Sequence, residues 1–182
     1  MKIAITGHTS GIGKSLAEIL QVRGHDVVGI SRRDGENIRR TAHTANLIDP
    51  CDIFINNAQS QFAQTELLFE VWKKWQGKEK WIWNISTHMT THPVDVKTEH
   101  NEIDISLYRI QKQSLEESSK QLQHKSSLPK ITIIRPGAVK NNTAGANSYD
   151  EWAKQLIEII STKESFHIPE ISLVHTNINF KI

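Results

Sequence analysis

Short runs of β-branched and aromatic residues alternate along the chain with longer stretches whose apolar positions recur every three or four residues. The run over 1–6 gives way to a polar, Gly-rich turn from Gly7 to Gly13, after which Leu16, Ile19 and Leu20 share one face of a helix. Gly24 reads as the C-cap of that helix, and Val27, Val28, Gly29 and Ile30 form a second strand-like run closed by Ser31-Arg32-Arg33-Asp34-Gly35. Residues 36–50 are polar and weakly periodic. They offer at best a fragment of helix or strand, so the helix that ordinarily precedes the third strand, 52–56, is expected to be missing. From Gln64 onward, Leu67, Leu68, Val71, Trp72 and Trp75 mark an amphipathic helix closed near Gly77, and 81–85 reads as a buried strand. A long loop is expected over 88–105, a helix over 106–125, a strand over 131–134 and a loop over 135–147. A helix over 149–161 and a closing strand over 171–174 complete the chain. Strands alternating with helices predict an α/β fold with a mostly parallel sheet.

Composition narrows the class without naming a function. The chain has 182 residues, 37% hydrophobic and 23% charged, with a net charge of +2, inside the range of folded globular chains. It fits a single domain over 1–182. A pI of 8.7 is basic, yet no block of like charge stands out, so nucleic acid is not an expected partner. No apolar run reaches membrane-spanning length and the start lacks a signal-peptide pattern, so no membrane association and a cytoplasmic location are expected. The one cysteine, Cys51, reads as a small buried hydrophobe. His88 and His92 lie in the expected loop, where their spacing has no helical meaning, and no metal site is expected. Three of the five tryptophans fall between 72 and 81, a cluster that reads as core or helix packing rather than ligand stacking.

The chemistry begins at Thr6-Gly7-His8-Thr9-Ser10-Gly11-Ile12-Gly13, placed between the first strand and its helix. Glycines there let the backbone turn sharply and approach a pyrophosphate that faces the unpaired N–H groups of the helix N-terminus. The G-x-x-x-G-x-G spacing resembles that of the short-chain dehydrogenase/reductase family. The resemblance continues through Asn56-Asn57-Ala58-Gln59, similar to an N-N-A-G turn, and Asn84-Ile85-Ser86-Thr87, similar to N-x-S-S. Tyr108 and Lys112 match Y-x-x-x-K, and Pro136-Gly137 match the P-G after a later strand. The motifs come in the family's order, each at the end of the expected element, and the absence of G-x-x-G-x-x-G spacing points away from the longer sugar-nucleotide epimerase branch. The compactness of the chain and the run from Phe62 to Leu68 are similar to small divergent members encoded by bacteriophages.

The resemblance implies a Rossmann-like, doubly wound sheet of six or seven mostly parallel strands in three α/β/α layers, with an NAD(P)-binding site. It implies cofactor contacts from Gly7, Thr9, Ser10, Gly11, Ile12 and Gly13, and from Ser31, Arg32 and Arg33. Further contacts are implied from Asn57, Ala58, Tyr108, Lys112, Pro136, Gly137 and Val139. It also implies catalysis by Tyr108 as general acid/base with Lys112 as its electrostatic partner. Thr87 stands where the family has its second serine, with Ser86 as the alternative. The chemistry agrees: Tyr108 and Lys112 are i and i+4 on one helix face, and a cation beside a phenol of ordinary pKa near ~10 is expected to lower that value.

The family's helix asparagine has no match over 60–83, where Gln64 is the available polar substitute; Asn141 and Thr143 stand near the family's threonine after P-G. Two arginines and a hydroxyl at the end of the second strand suit a 2′-phosphate, so NADP(H) is the preferred cofactor, with NAD(H) kept open by Asp34. The expected function is NADP(H)-dependent hydride transfer between nicotinamide and a small carbonyl or alcohol substrate. A catalytically impaired NADP(H)-binding or regulatory protein is the alternative, and an epimerising enzyme using the same pair is not separable from a ketoreductase. The resemblance further implies a homodimer or homotetramer, with Trp72 and Trp75 available to an interface.

Overall fold

The computed structural model describes residues 1–92, 105–139, 149–161 and 166–174. Strands β1 (Lys2–Thr6), β2 (Asp26–Ile30), β3 (Ile53–Asn56), β4 (Trp81–Ile85), β5 (Lys130–Pro136) and β6 (Glu170–Leu173) form one sheet in the order β2-β1-β3-β4-β5-β6. All five pairings are parallel, which makes the sheet Rossmann-like and of six strands. Compared with the doubly wound order 3-2-1-4-5-6, no strand lies beyond β2 among the described residues, so β2 is an edge.

Side chains alternate across each strand and fill a separate core on either face. Ala4, Phe54, Ile82 and Ile131 point to one side; Ile3, Ile5, Ile53, Ile55, Trp83 and Ile85 point to the other. The first side is covered by α2 (Thr41–Ile48), α3 (Ala63–Trp75) and α4 (Ile105–Lys125). The second is covered by α1 (Gly11–Val22) and α5 (Tyr149–Ser161), which Ser15 Oγ and Asp150 Oδ1 join by a 2.5 Å hydrogen bond.

The helix expected to be missing before β3 is present as the eight residues of α2. Only Thr44, Ala45 and Ile48 of it reach the core, a stripe too short to register as periodicity. Trp72 and Trp75, considered for an interface, are 8% and 0% exposed and belong to this chain's own core. Trp75 Nε1 donates to the carbonyl of Asp49, anchoring α3 to the segment that leads into β3. Cys51 is fully buried, as expected of a small hydrophobe. The stretch read as a loop from 88 begins with a 3-10 turn, His88–Thr90, and 93–104 lie outside the described residues, as do Asn141 and Thr143. No helix among the described residues is long and apolar enough to cross a membrane.

Candidate active site

β1 and β3 are neighbours while their connections leave on opposite faces, so the turns after their C-terminal ends part to form a crevice. A cleft of about 790 Å³ occupies it. One wall is the turn after β1, where Gly7 and Gly11 take φ of 73° and 55°, in the region that favours glycine. Gly13 lies behind that wall in the first turn of α1. A methyl group there would overlap the Gly7 carbonyl oxygen and Asn57 Nδ2, so only glycine lets α1 start this close to the crevice. The first turn of α1 holds no acidic residue and Ser10 makes no side-chain cap, which leaves the helix N–H groups and their partial positive charge directed to the cleft.

The two turns are joined by one hydroxyl. Thr6 Oγ1, fully buried, accepts from the backbone N–H of Asn57 and of Ala58, each at 3.0 Å, while Asn57 Nδ2 donates to the Thr6 carbonyl at 3.0 Å. The far wall is the end of β2. Ser31 Oγ caps the 3-10 turn Arg32–Asp34 by accepting from Arg33 N at 3.2 Å, and it donates to Asp34 Oδ2 at 2.6 Å. Arg32 and Arg33 are exposed at the lip and form no ion pair among the described residues.

The structure therefore gathers Gly7, Thr9, Ser10, Gly11, Ile12, Ser31, Arg32, Arg33, Asn57 and Ala58 around one cleft. Pro136, Gly137 and Val139 are not among its lining residues. Gly137 N–H instead donates to Leu173 O at 3.0 Å, and Val139 rests on the core beneath α1 and α5. Sequence reasoning missed Asn37, Ile38, Ser60 and Tyr149, which also line the cleft. Tyr149 carries no motif; it faces Gly11 because α5 returns across α1.

The second cluster lies where β4 ends against α4. Thr87, 8% exposed, accepts from Met89 N at 3.4 Å, and its hydroxyl is close enough to the Tyr108 phenol to favour the ionised form. Ser86 is turned away, its Oγ donating to Glu116 at 2.5 Å. Burial pushes the Tyr108 phenol above its ordinary value, and the Thr87 hydroxyl opposes this. The expected lowering by Lys112 is not seen, for a geometric reason: Nζ lies 5.7 Å from the centre of the phenol ring, and burial holds the amine itself down to about 7.

Lys112 is 3% exposed and points inward, donating to Gln64 Oε1 and to the Ile85 carbonyl, both at 2.8 Å. Gln64 Nε2 donates to the carbonyls of Asn56 and Ile85 at 2.6 and 3.0 Å, which fixes the amide so that its oxygen meets the lysine. The polar substitute read at the start of α3 thus touches the lysine directly. The two clusters adjoin: Gln59, on the cleft wall, is hydrogen-bonded to Gln111, the neighbour of Lys112. His88 and His92 stack at 4.2 Å, and no group of three metal-ligating side chains occurs among the described residues.

A six-stranded all-parallel sheet flanked by helices on both faces has counterparts among solved structures. A short-chain dehydrogenase/reductase from Vibrio parahaemolyticus superposes with a TM-score of 0.73 at 12% identity, covering 96% of this chain and 100% of that one. This is the short-chain dehydrogenase/reductase fold. The 3-alpha-hydroxysteroid dehydrogenase from Pseudomonas sp. B-0831, complexed with NADH, gives a TM-score of 0.69 at 18% identity over 96% of this chain and 94% of that chain. A short-chain dehydrogenase from Sphingobium yanoikuyae, in complex with NADPH, gives 0.67 at 18% identity over 95% and 87%. The profile of the NAD dependent epimerase/dehydratase family matches residues 3–72. That match runs from β1 into α3, ends before Tyr108 and carries no statement about the reaction, although the Gly spacing alone pointed away from the epimerase branch. No curated protein sequence matches the chain.

Proposed function

We propose that this chain is a member of the short-chain dehydrogenase/reductase family and an NADP(H)-dependent oxidoreductase acting on a small carbonyl or alcohol substrate. The observation that carries the proposal is the hydroxyl pair of Thr87 and Tyr108, with Lys112 one turn on, next to a cleft built for a dinucleotide. The fit of the cofactor rests on the open N-terminus of α1, the absence of space for a Cβ at Gly13 and a volume within the ordinary range of ligand sites.

Gly7, Thr9, Ser10, Gly11 and Ile12 would hold the pyrophosphate, Asn57 and Ala58 the central part, and Ser31, Arg32 and Arg33 the 2′-phosphate. When bound, the nicotinamide supplies the hydride donor or acceptor. In reduction the Tyr108 phenol donates its proton to the substrate oxygen; in oxidation it takes that proton back. Its raised pKa keeps it protonated and ready to donate at neutral pH. The Thr87 hydroxyl, already against the phenol, orients the shared oxygen, and Lys112 adds a charge that is present below its pKa of about 7. Pro136, Gly137 and Val139 are assigned to the nicotinamide end by resemblance.

A second reading, a cofactor-binding protein without turnover, is favoured by the inward position of Lys112 on Gln64 and Ile85. One experiment separates the two. Purified protein is screened against carbonyl substrates with NADPH, with Tyr108→Phe in parallel. Turnover that Tyr108→Phe abolishes while NADPH binding persists is the expected result. Turnover equal in the variant removes the mechanism, and NADPH binding without any turnover selects the second reading.

A further inference from the structure

Glu116 is one helical turn beyond Lys112 on the same face of α4 and is 6% exposed. Its carboxylate gathers three other segments. Oε1 accepts from Ser86 Oγ at 2.5 Å and from Arg135 Nε at 2.9 Å, and Oε2 accepts from Arg135 Nη2 at 2.7 Å. Thr90 Oγ1 lies 2.8 Å from Glu116 Oε1 and 2.8 Å from the Thr87 carbonyl, sharing one proton between them. Arg135, 5% exposed at the end of β5, is held on its other side by Glu170 at 2.8 Å, and Glu170 in turn lies 3.6 Å from Lys120. The carboxylate is thus satisfied by a two-pronged guanidinium and by hydroxyls on both sides of Thr87.

Buried ion pairs are a weak source of stability, because desolvation offsets most of their attraction, and one prior use for them is to fix a single geometry. Here the geometry in question is plain. Ser86 precedes Thr87 in the chain and Thr90 closes the turn that Thr87 caps, so one carboxylate on α4 ties both flanks of Thr87 to the helix that carries Tyr108. Ser86, which sequence alone offered as a substitute for Thr87, is one of these ties.

We propose that Glu116, clamped by Arg135, is a positioning residue that acts through Ser86 and Thr90 to set the Thr87 hydroxyl against the Tyr108 phenol. The proposal rests on reading Thr87 and Tyr108 as the reactive pair, so its deciding test reads that pair by titration, with turnover as a second readout.

Tyr108 and Tyr149 are the two tyrosines of the chain, so in a Tyr149→Phe background the ultraviolet ionisation of tyrosine reports Tyr108 alone. Loss of the hydroxyl in Thr87→Val should raise the phenol pKa by roughly 0.5–1 pH unit. Ser86→Ala and Thr90→Val should each raise it in the same direction, Thr90→Ser should restore it, and neither should add to the shift once Thr87→Val is present. Glu116→Gln, where it folds, should cut kcat at least about tenfold while changing the Kd for NADPH less than about threefold. An unmoved titration in Ser86→Ala and Thr90→Val beside a shifted Thr87→Val overturns the proposal alone. An unmoved titration in Thr87→Val overturns the reading of the pair and the proposal with it.

Discussion

Replacing Lys112 by Met should change how the stability of the fold depends on pH. The amine is 3% exposed, and burial lowers its pKa from 10.5 to about 7, opposed by the charge of Glu116. The unfolded chain keeps this proton up to its ordinary value, whereas the folded chain releases it near 7. Between those limits the unfolded state binds one more proton, so the free energy of unfolding rises with pH, by at most ~1.4 kcal/mol per unit. Over the whole interval that is about 5 kcal/mol, and roughly half of it is gained between about pH 7 and pH 9. Below the folded pKa the protein bears the full cost of a buried ammonium, and above the unfolded pKa it bears none.

Methionine keeps the unbranched stem and cannot titrate in this range. It also leaves Gln64 Oε1 and the Ile85 carbonyl without this donor, a loss of about 1–3 kcal/mol each that does not vary with pH. The two effects separate in one assay: urea unfolding of both proteins at intervals from about pH 6 to about pH 9.5. The stability of the natural chain minus that of the Met variant should climb by roughly 2–3 kcal/mol as pH passes from 7 to 9. A difference constant to within about 0.5 kcal/mol would refute the reasoning, since it would place the amine in solvent with its ordinary pKa.

Thr6→Val is isosteric and removes the hydroxyl that receives Asn57 N–H and Ala58 N–H; with two part-buried donors orphaned, a loss of about 1–3 kcal/mol in denaturant unfolding is expected, and Thr6→Ser should recover most of it. A Thr6→Val protein as stable as the natural one would show that the turn rearranges freely. Gly13→Ala should cost about 1–3 kcal/mol by overpacking against Gly7 and Asn57, and it should also abolish the thermal shift caused by NADPH. Combined Arg32→Ala and Arg33→Ala should weaken NADPH by about 10- to 100-fold in calorimetric titration and NADH by less than about threefold. Equal losses for the two cofactors would mean that the arginines do not read a 2′-phosphate.

How far the sequence reached depends on whether the relevant signal is local. β-Branched runs and 3.6-residue periodicity specify strands and helices because each is stabilised largely by the face it buries. The bounds of α5 and β4 follow from the sequence for that reason. The Gly-rich turn was equally legible, since its backbone shape is a property of its own glycines. The helix α2 escaped because three core positions carry too little pattern. Tyr149 escaped because its place over the cleft is made by α5 crossing back over α1, far away in sequence.

The site shows the same division more sharply. Spacing alone put Tyr108 and Lys112 on one helix face and could nominate either Ser86 or Thr87 as their hydroxyl. Only the tertiary structure brings Thr87 to the phenol and Ser86 to Glu116, because the backbone stays extended at Thr87, where successive side chains point in different directions, and α4 lies alongside with both partners. It alone decides that Lys112 faces inward to Gln64 and Ile85, and so that its charge changes near neutrality. A pKa is set by the dielectric and the partners around a group, and burial is a property of the packed sheet and helices. Residue identity supplies the ionisable groups; the fold determines which of them stay charged.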